Sequence, residues 1–275
     1  IYHAAAYKHV PLVEENIFEG VKNNVFATYN VANVAIKNLV SNFVLISSDK
    51  AVRPTNIMGA TKRFAELCVQ ALYHNLNNPK IKMSIVRFGN VLESSGSVIP
   101  KFKHQIKLGG PITLTHSDVT RFFMTIKEAS QLVIQAGAMS NNCDVFVLDM
   151  GKSVKIKELA QRLVELSGLT IKDEENPDGD IEIKIIGLRP GEKLYEELLL
   201  GNNPQPTNHP RIQKAEDPHI SFSELKKNLK LLNNLITTNQ VEDVKKMLKI
   251  IVKSYTSNSK IVDNMYIEKE KIKKI

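Results

Sequence analysis

The chain has 275 residues, 43% hydrophobic and 24% charged, with 37 basic against 29 acidic residues for a formal charge of +8. That make-up is ordinary for a globular protein long enough to bury a core without disulfide or metal staples. Two cysteines, Cys68 and Cys143, are too few for a disulfide framework or a four-ligand zinc site, and no apolar run reaches the ~18–20 residues of a membrane span.

Ile1-Tyr2-His3-Ala4-Ala5-Ala6 reads as the end of a buried strand that starts abruptly. A helix is expected over Ile17 to Leu39, then a strand at Phe43-Val44-Leu45-Ile46-Ser47. Met58 to Leu76 carries Phe64, Leu67, Cys68, Ala71 and Leu72 on one helical face. Met83–Phe88 and Val145–Leu148 are further apolar runs of strand length. Unalternated apolar strands separated by helices imply a doubly wound α/β fold, its parallel sheet covered on both faces. Ligands of such sheets bind beyond the carboxyl ends of the strands. From Ile156 the pattern changes: a helix through Leu159, Leu163, Val164 and Leu166 stops at Gly168. A polar turn, Asp173 to Asp180, leads to a strand at Ile181–Ile186 and a helix-like stretch at Lys193–Leu200. The expected organisation is a partial Rossmann-like domain over 1–150, a smaller α+β lobe over 151–220 and a helical tail over 221–275.

The tail carries most of the charge. Residues 221–275 hold 12 lysines against 6 acids, so only +2 remains for the rest. Leu225, Leu229, Leu232 and Ile236, then Val244, Met247, Leu248 and Ile251, recur at helical spacing. Two amphipathic helices with a solvated lysine face are the first reading, and a membrane-surface or polyanion contact the second. Aromatic residues interleaved with the bases are nearly absent, so nucleic acid is rejected as a partner.

The densest polar cluster, Ser47-Ser48-Asp49-Lys50, follows directly on a strand. Neighbouring carboxylate and ammonium groups suit general acid–base work when burial tunes them, and a polar turn would have the same spelling. Met58 follows Ser48 by ten residues and Lys62 follows Met58 by four, which puts Met58 and Lys62 on one helix face. A methionine there also suits plain core filling. Arg121 and Arg189 read either as guanidinium forks for phosphate or as surface ion pairs.

The stretch Ser47-Ser48-Asp49-Lys50-Ala51-Val52-Arg53-Pro54-Thr55-Asn56-Ile57-Met58-Gly59-Ala60-Thr61-Lys62-Arg63 closely resembles the nucleotide-sugar 4,6-dehydratases of polysaccharide biosynthesis. These are extended short-chain dehydrogenases/reductases that act on UDP-N-acetylglucosamine. Six more segments resemble the same family: His3–Pro11, Arg87–Val91, Ser95–Pro100, Thr113–His116, Arg121–Met124 and Gly187–Lys193. The resemblance implies a tightly bound NAD or NADP, regenerated in each turnover, and a UDP-sugar substrate oxidised at C4. It implies that Lys50 removes the C5 proton, Asp49 protonates the departing C6 hydroxyl and Ser48 bonds the C4 oxygen. Lys62 would hold the nicotinamide ribose, with Ala4, Ala5, Ala6 and Asn24 also on the cofactor side. Met58 stands where most relatives have a proton-transferring tyrosine, as in the long-form membrane-anchored branch. Lys8, His9, Asn90, Arg121 and Arg189 would contact substrate, with the two arginines on its pyrophosphate. No metal is implied.

Three departures from the family pattern stand out: Ala27 and Glu93 for glycines, and Ser117 for a proline. Glu93 is expected to oppose phosphate. A glycine-rich phosphate-binding turn is absent from the sequence, so the resemblance places it before Ile1, with membrane helices further upstream. The expected setting is cytoplasmic, at the cytoplasmic face of a membrane in a longer parent, and homo-oligomeric association is expected. The alternatives are a nucleotide-sugar 4-epimerase, which shares the first oxidation, and a non-catalytic nucleotide-sugar-binding remnant.

Overall fold

Apolar runs without alternation become strands only if both faces are covered, and that requirement shapes the molecule. The structure, a computed structural model, describes residues 1–198, 204–257 and 260–272. In chain order the elements begin with β1 (Tyr2–His3), α1 (Val10–Glu15) and α2 (Ile17–Val21), then a π-helical segment (Lys22–Phe26) running into α3 (Ala27–Lys37). Next come β2 (Asn42–Ile46), a 3₁₀ turn (Asp49–Ala51), α4 (Ile57–His74) and β3 (Lys82–Arg87). β4 (Asn90–Val91), α5 (Val98–Lys107), β5 (Ile112–Leu114), β6 (Thr120–Arg121), β7 (Phe123–Met124), α6 (Ile126–Met139) and β8 (Asp144–Leu148) follow. Then come β9 (Val154–Lys155), α7 (Ile156–Leu166), β10 (Ile171–Lys172), β11 (Ile181–Ile185), β12 (Gln205–Pro206) and β13 (Ile212–Ala215). α8 (Phe222–Thr237), α9 (Val241–Ile251) and α10 (Asn264–Ile272) are the last described elements.

The chain divides into two compact units, residues 1–88, 131–149 and 197–275 in the first and 89–130 and 150–196 in the second. This grouping differs from the linear division expected at 150 and 220, because the chain leaves the first unit after β3 and returns within α6.

The first unit is built on a mixed sheet in the order β1-β2-β3-β8-β13-β12. β1, β2, β3 and β8 run parallel, in a register that pairs Leu45 with Ile85 and Ile85 with Val145. β13 returns antiparallel against β8. Neighbouring residues of a strand face opposite sides, and Val44 and Leu45 are both buried, so both faces of β2 are covered. β1 is less enclosed than expected, with His3 buried and Tyr2 exposed.

Every residue of α4 from Ile57 to Tyr73 is buried. Ala65, Val69 and Leu72 belong to one apolar cluster with Phe43, Leu45 and Ile85 of the sheet. Met58, Phe64, Leu67 and Cys68 belong to a second cluster with Val13, Ile17, Leu225, Leu232, Val244 and Leu248. A helix buried on all sides needs cover on all sides, and here α8 and α9 supply part of it. The basic segment read as a separate tail is therefore a layer of the first unit's core. The single helix expected over Ile17–Leu39 is instead α2, the π segment and α3, and it ends before Leu39, which has φ +53°.

In the second unit β10, β11 and β5 form a parallel three-stranded sheet. Phe102 and Ile106 of α5 and Ala160 and Val164 of α7 share its apolar cluster with Ile112 and Ile181. β4 pairs with β7 and β6 with β9 as two short ribbons. The helix expected at Lys193–Leu200 does not form over 193–198, and residues 199–200 lie outside the described residues. The reason is competition for carbonyls: Arg121 takes those of Lys193 and Leu194, and Thr120 N also donates to Leu194 O. Among the described residues no helix is long and apolar enough to cross a membrane.

Candidate active site

β2 carries Ser47–Lys50 to the carboxyl end of the parallel strands. Ser48 is extended and caps the 3₁₀ turn: its Oγ accepts from Lys50 N at 3.2 Å. The same hydroxyl donates to Asp49 Oδ1 at 2.8 Å, and Lys50 Nζ meets that oxygen at 2.9 Å. Asp49 is fully buried, and its Oδ2 has no hydrogen-bond partner among the described residues. One carboxylate oxygen therefore serves both neighbours.

The turn is pinned from two sides. Asp49 N donates to Phe88 O at 3.1 Å. α4 presses on the turn at Gly59, where a β-carbon would lie 2.2 Å from the Lys50 carbonyl oxygen. Only glycine permits that approach.

Lys62 is buried, and its Nζ donates to Ile46 O at 2.5 Å. Burial pushes its ammonium down to about 8, against the opposing attraction of Glu66. Lys62 in turn adds to the burial that lowers His3, whose Nε2 lies 3.0 Å from Thr28 Oγ1. One turn beyond Lys62, Glu66 accepts from Ser47 Oγ at 2.5 Å, from Arg63 Nη1 at 2.8 Å and from Arg87 Nε at 2.8 Å. Arg87 also meets Asp217. Burial alone would raise the Glu66 carboxyl, but the Arg87 guanidinium above all draws it down to about 2. This network fixes the strand end from which Ser48 projects. Glu66 and Asp217 were not singled out from the sequence, although Glu66 stands four residues after Lys62, on the same helix face.

Asn24, on the π segment, is buried and clamps the chain after β1. Its Oδ1 accepts from Tyr7 N at 2.7 Å, and its Nδ2 donates to Tyr7 O at 3.0 Å and Thr61 Oγ1 at 2.9 Å. Ala4 and Ala5 are exposed and Ala6 half-buried on that stretch. Lys8 is lowered by partial burial and then by the charge of Lys50, which brings it into the electrostatic reach of the turn. His9 is the N-cap of α1 but makes no side-chain cap bond. Lys8 and His9 line an open cavity of about 540 Å³ with Tyr7, Leu12 and Asn16. Met58 is 2% exposed and belongs to the apolar cluster that includes residues of α1, α2, α8 and α9. Its surroundings are those of a packing residue.

The remaining expected contacts lie together in the second unit, around a cavity of about 220 Å³ lined by Asn90, Ser97, Lys101, Arg121, Arg189 and Glu192, among others. Asn90 is held by Phe122 O through both its backbone N–H, at 3.0 Å, and its Nδ2, at 3.3 Å. Arg121 is not the open fork expected. Its guanidinium donates to Thr120 O at 2.7 Å, Lys193 O at 2.9 Å and Leu194 O at 3.2 Å, and lies 3.5 Å from Glu192 and 3.9 Å from Glu196. Arg189 remains exposed at the cavity. Glu93 differs from its expected repulsive role: at φ +59° it turns outward, and its carboxylate pairs with exposed Lys103 at 2.8 Å. Among the described residues no group of three or more His, Cys, Asp or Glu is placed to hold a metal ion.

With this geometry in hand, comparison with known proteins is informative. Residues 1–217 match the family model described as polysaccharide biosynthesis protein. The chain is 54% identical over 226 residues to the capsular polysaccharide biosynthesis protein CapD of Staphylococcus aureus, covering 82% of this chain and 36% of CapD. It is 38% identical over 199 residues to the UDP-glucose 4-epimerase of Rickettsia rickettsii, covering 72% of this chain and 55% of that protein. Among solved structures, Pen from Bacillus thuringiensis aligns with a TM-score of 0.68 at 35% identity, over 84% of this chain and 74% of that one. The chain thus spans less than two thirds of the length of these two curated relatives.

Proposed function

Because this chain belongs to the polysaccharide biosynthesis protein family, we propose that it serves a nucleotide-sugar-modifying enzyme, a 4,6-dehydratase acting on UDP-N-acetylglucosamine. The observation that carries this reading is the Ser48-Asp49-Lys50 turn. Loss of water across C5 and C6 needs a base at C5 and an acid at the C6 hydroxyl, held side by side. Lys50 Nζ and Asp49 Oδ2, which has no partner among the described residues, offer these two functions on adjacent residues. Ser48 Oγ is positioned by the same carboxylate and would bond the C4 oxygen.

A nicotinamide dinucleotide fits the first unit at its nicotinamide end. Lys62 Nζ spends one of its three donors on Ile46 O and keeps the others for ribose hydroxyls. Ala4, Ala5 and Ala6 would admit close approach, and Asn24 would hold that stretch in place. Bound there, NAD or NADP would supply reversible hydride acceptance. The chain's own residues would handle the protons of the elimination: Lys50 takes one from C5 at Nζ and returns one there when C6 is reduced, Asp49 gives one from Oδ2 to the departing C6 hydroxyl, and the C4 hydroxyl proton passes to water, because the Met58 thioether cannot accept it. Arg189 and Asn90 would meet the UDP moiety in the cavity of the second unit, whose wall Arg121 holds.

The likeness to an epimerase supports a second reading, since 4-epimerisation shares the oxidation at C4. It requires no elimination, so the Asp49–Lys50 pair would have work only in the dehydratase. Mass spectrometry of the product from UDP-N-acetylglucosamine separates the two: a sugar nucleotide lighter by one water, or an isomer. Lys50→Ala should slow formation of the 4-keto-6-deoxy product by about 100-fold or more. An unchanged rate would overturn the assignment of Lys50 as the base.

A further inference from the structure

The cavity of the second unit holds a cation that neither the spacing nor the motifs of the sequence brought forward. Lys101 ends the first turn of α5 and is half-buried in the cavity wall. Its backbone N–H donates to Ser97 O at 3.3 Å, and among the described residues its ammonium makes no hydrogen bond or ion pair. Arg189 lines the same cavity, and burial followed by Arg189's charge holds the Lys101 ammonium below its ordinary range.

Glu192 offsets this repulsion only in part. Glu192 Oε1 accepts from Thr115 Oγ1 at 2.9 Å and lies 3.5 Å from Arg121, while Oε2 accepts from Arg189 N at 3.1 Å. With the Arg121 guanidinium spent on backbone carbonyls and glutamates, the two cations left for a ligand are Lys101 and Arg189. Ser97 Oγ adds a donor: it is buried in the same cavity without a partner, at a helix N-cap where it caps nothing. Two cations whose side chains are in no ion pair among the described residues, a Ser97 hydroxyl with no partner among them and a helix N-terminus together suit a multiply charged anion.

We infer that Lys101 is a specificity-determining contact for the diphosphate of the nucleotide sugar, acting with Arg189 and Ser97, while Arg121 is a positioning residue that holds the 192–196 segment at the cavity. This deepens the nucleotide-sugar reading above and rests on it. The ligand supplies the negative charge that the folded chain leaves out, so Lys101 contributes binding free energy only when a phosphate is present.

Titration calorimetry of the full chain with UDP tests this. Lys101→Ala should weaken UDP binding by about tenfold, the size of one charge-assisted hydrogen bond, and reduce the salt dependence of binding. Lys101→Arg should recover most of the affinity and the salt dependence. Wild-type UDP affinity in Lys101→Ala would overturn the role of Lys101 and leave the nucleotide-sugar reading standing. An arginine variant as weak as the alanine variant would also overturn it, because a cation would then not be what matters. A wild-type chain that fails to bind UDP would overturn the nucleotide-sugar reading and this inference with it.

Discussion

Met58 and Lys62 stand four residues apart on one helix, yet they serve opposite ends. Periodicity places them on the same face, but the apolar cluster around Met58 and the Ile46 carbonyl above Lys62 give one a packing surrounding and the other a polar one. The Lys62 ammonium, held at about 8 by burial, makes this distinction measurable. The unfolded chain binds that proton with an ordinary lysine pKa near ~10.4, so between the two values it carries more proton than the folded chain. Stability therefore rises with pH through this window as the cost of burying the charge is relieved. The melting temperature of the wild type relative to Lys62→Met should increase between pH 8 and 10. Parallel profiles would show that the amine is not titrating in a buried site.

α4 organises both the core and the site, and it does so through its least conspicuous residue. Gly59 reads in the sequence as a mild helix breaker, whereas the fold uses it to seat the helix against the Lys50 carbonyl. Asn56 caps the same helix end by accepting from Gly59 N at 2.8 Å. A methyl group at position 59 would meet backbone rather than a yielding side chain, so the turn itself must move. Gly59→Ala should cost about 1–3 kcal/mol in urea denaturation, as overpacking does, and lower kcat by displacing Ser48–Lys50. Full activity in that variant would mean the turn tolerates displacement. Neither the helix pattern nor the strand pattern could announce this, because the close approach joins residues 50 and 59 across a loop whose path is set by the whole packed unit.

At the scale of the whole molecule, the lysine-rich segment changes meaning most. The heptad-like recurrence of Leu225, Leu229, Leu232 and Ile236 was legible as an amphipathic helix, and α8 and α9 follow it closely. What they cover was not legible. Leu225, Leu232, Val244 and Leu248 are each wholly buried in the cluster that encloses Phe64 and Leu67 of α4. Removing residues 221–275 should lower the midpoint of urea unfolding and expose dye-binding apolar surface, and Leu225→Ala alone should cost about 2–5 kcal/mol. An unchanged midpoint in the shortened chain would make the segment an appendage. The sequence by itself determined the parallel strands at Phe43, Met83 and Val145, the helices between them and the polar cluster Ser47–Lys50 at a strand end, because local periodicity and contiguous motifs are properties of near neighbours. Only the tertiary structure decided that Asp49 Oδ2 is left without a partner among the described residues, that Arg121 is consumed by its own chain and that Lys101 faces a cavity beside Arg189. Those facts depend on groups far apart in sequence sharing one enclosed volume, where burial and competition for hydrogen bonds settle which side chain remains available.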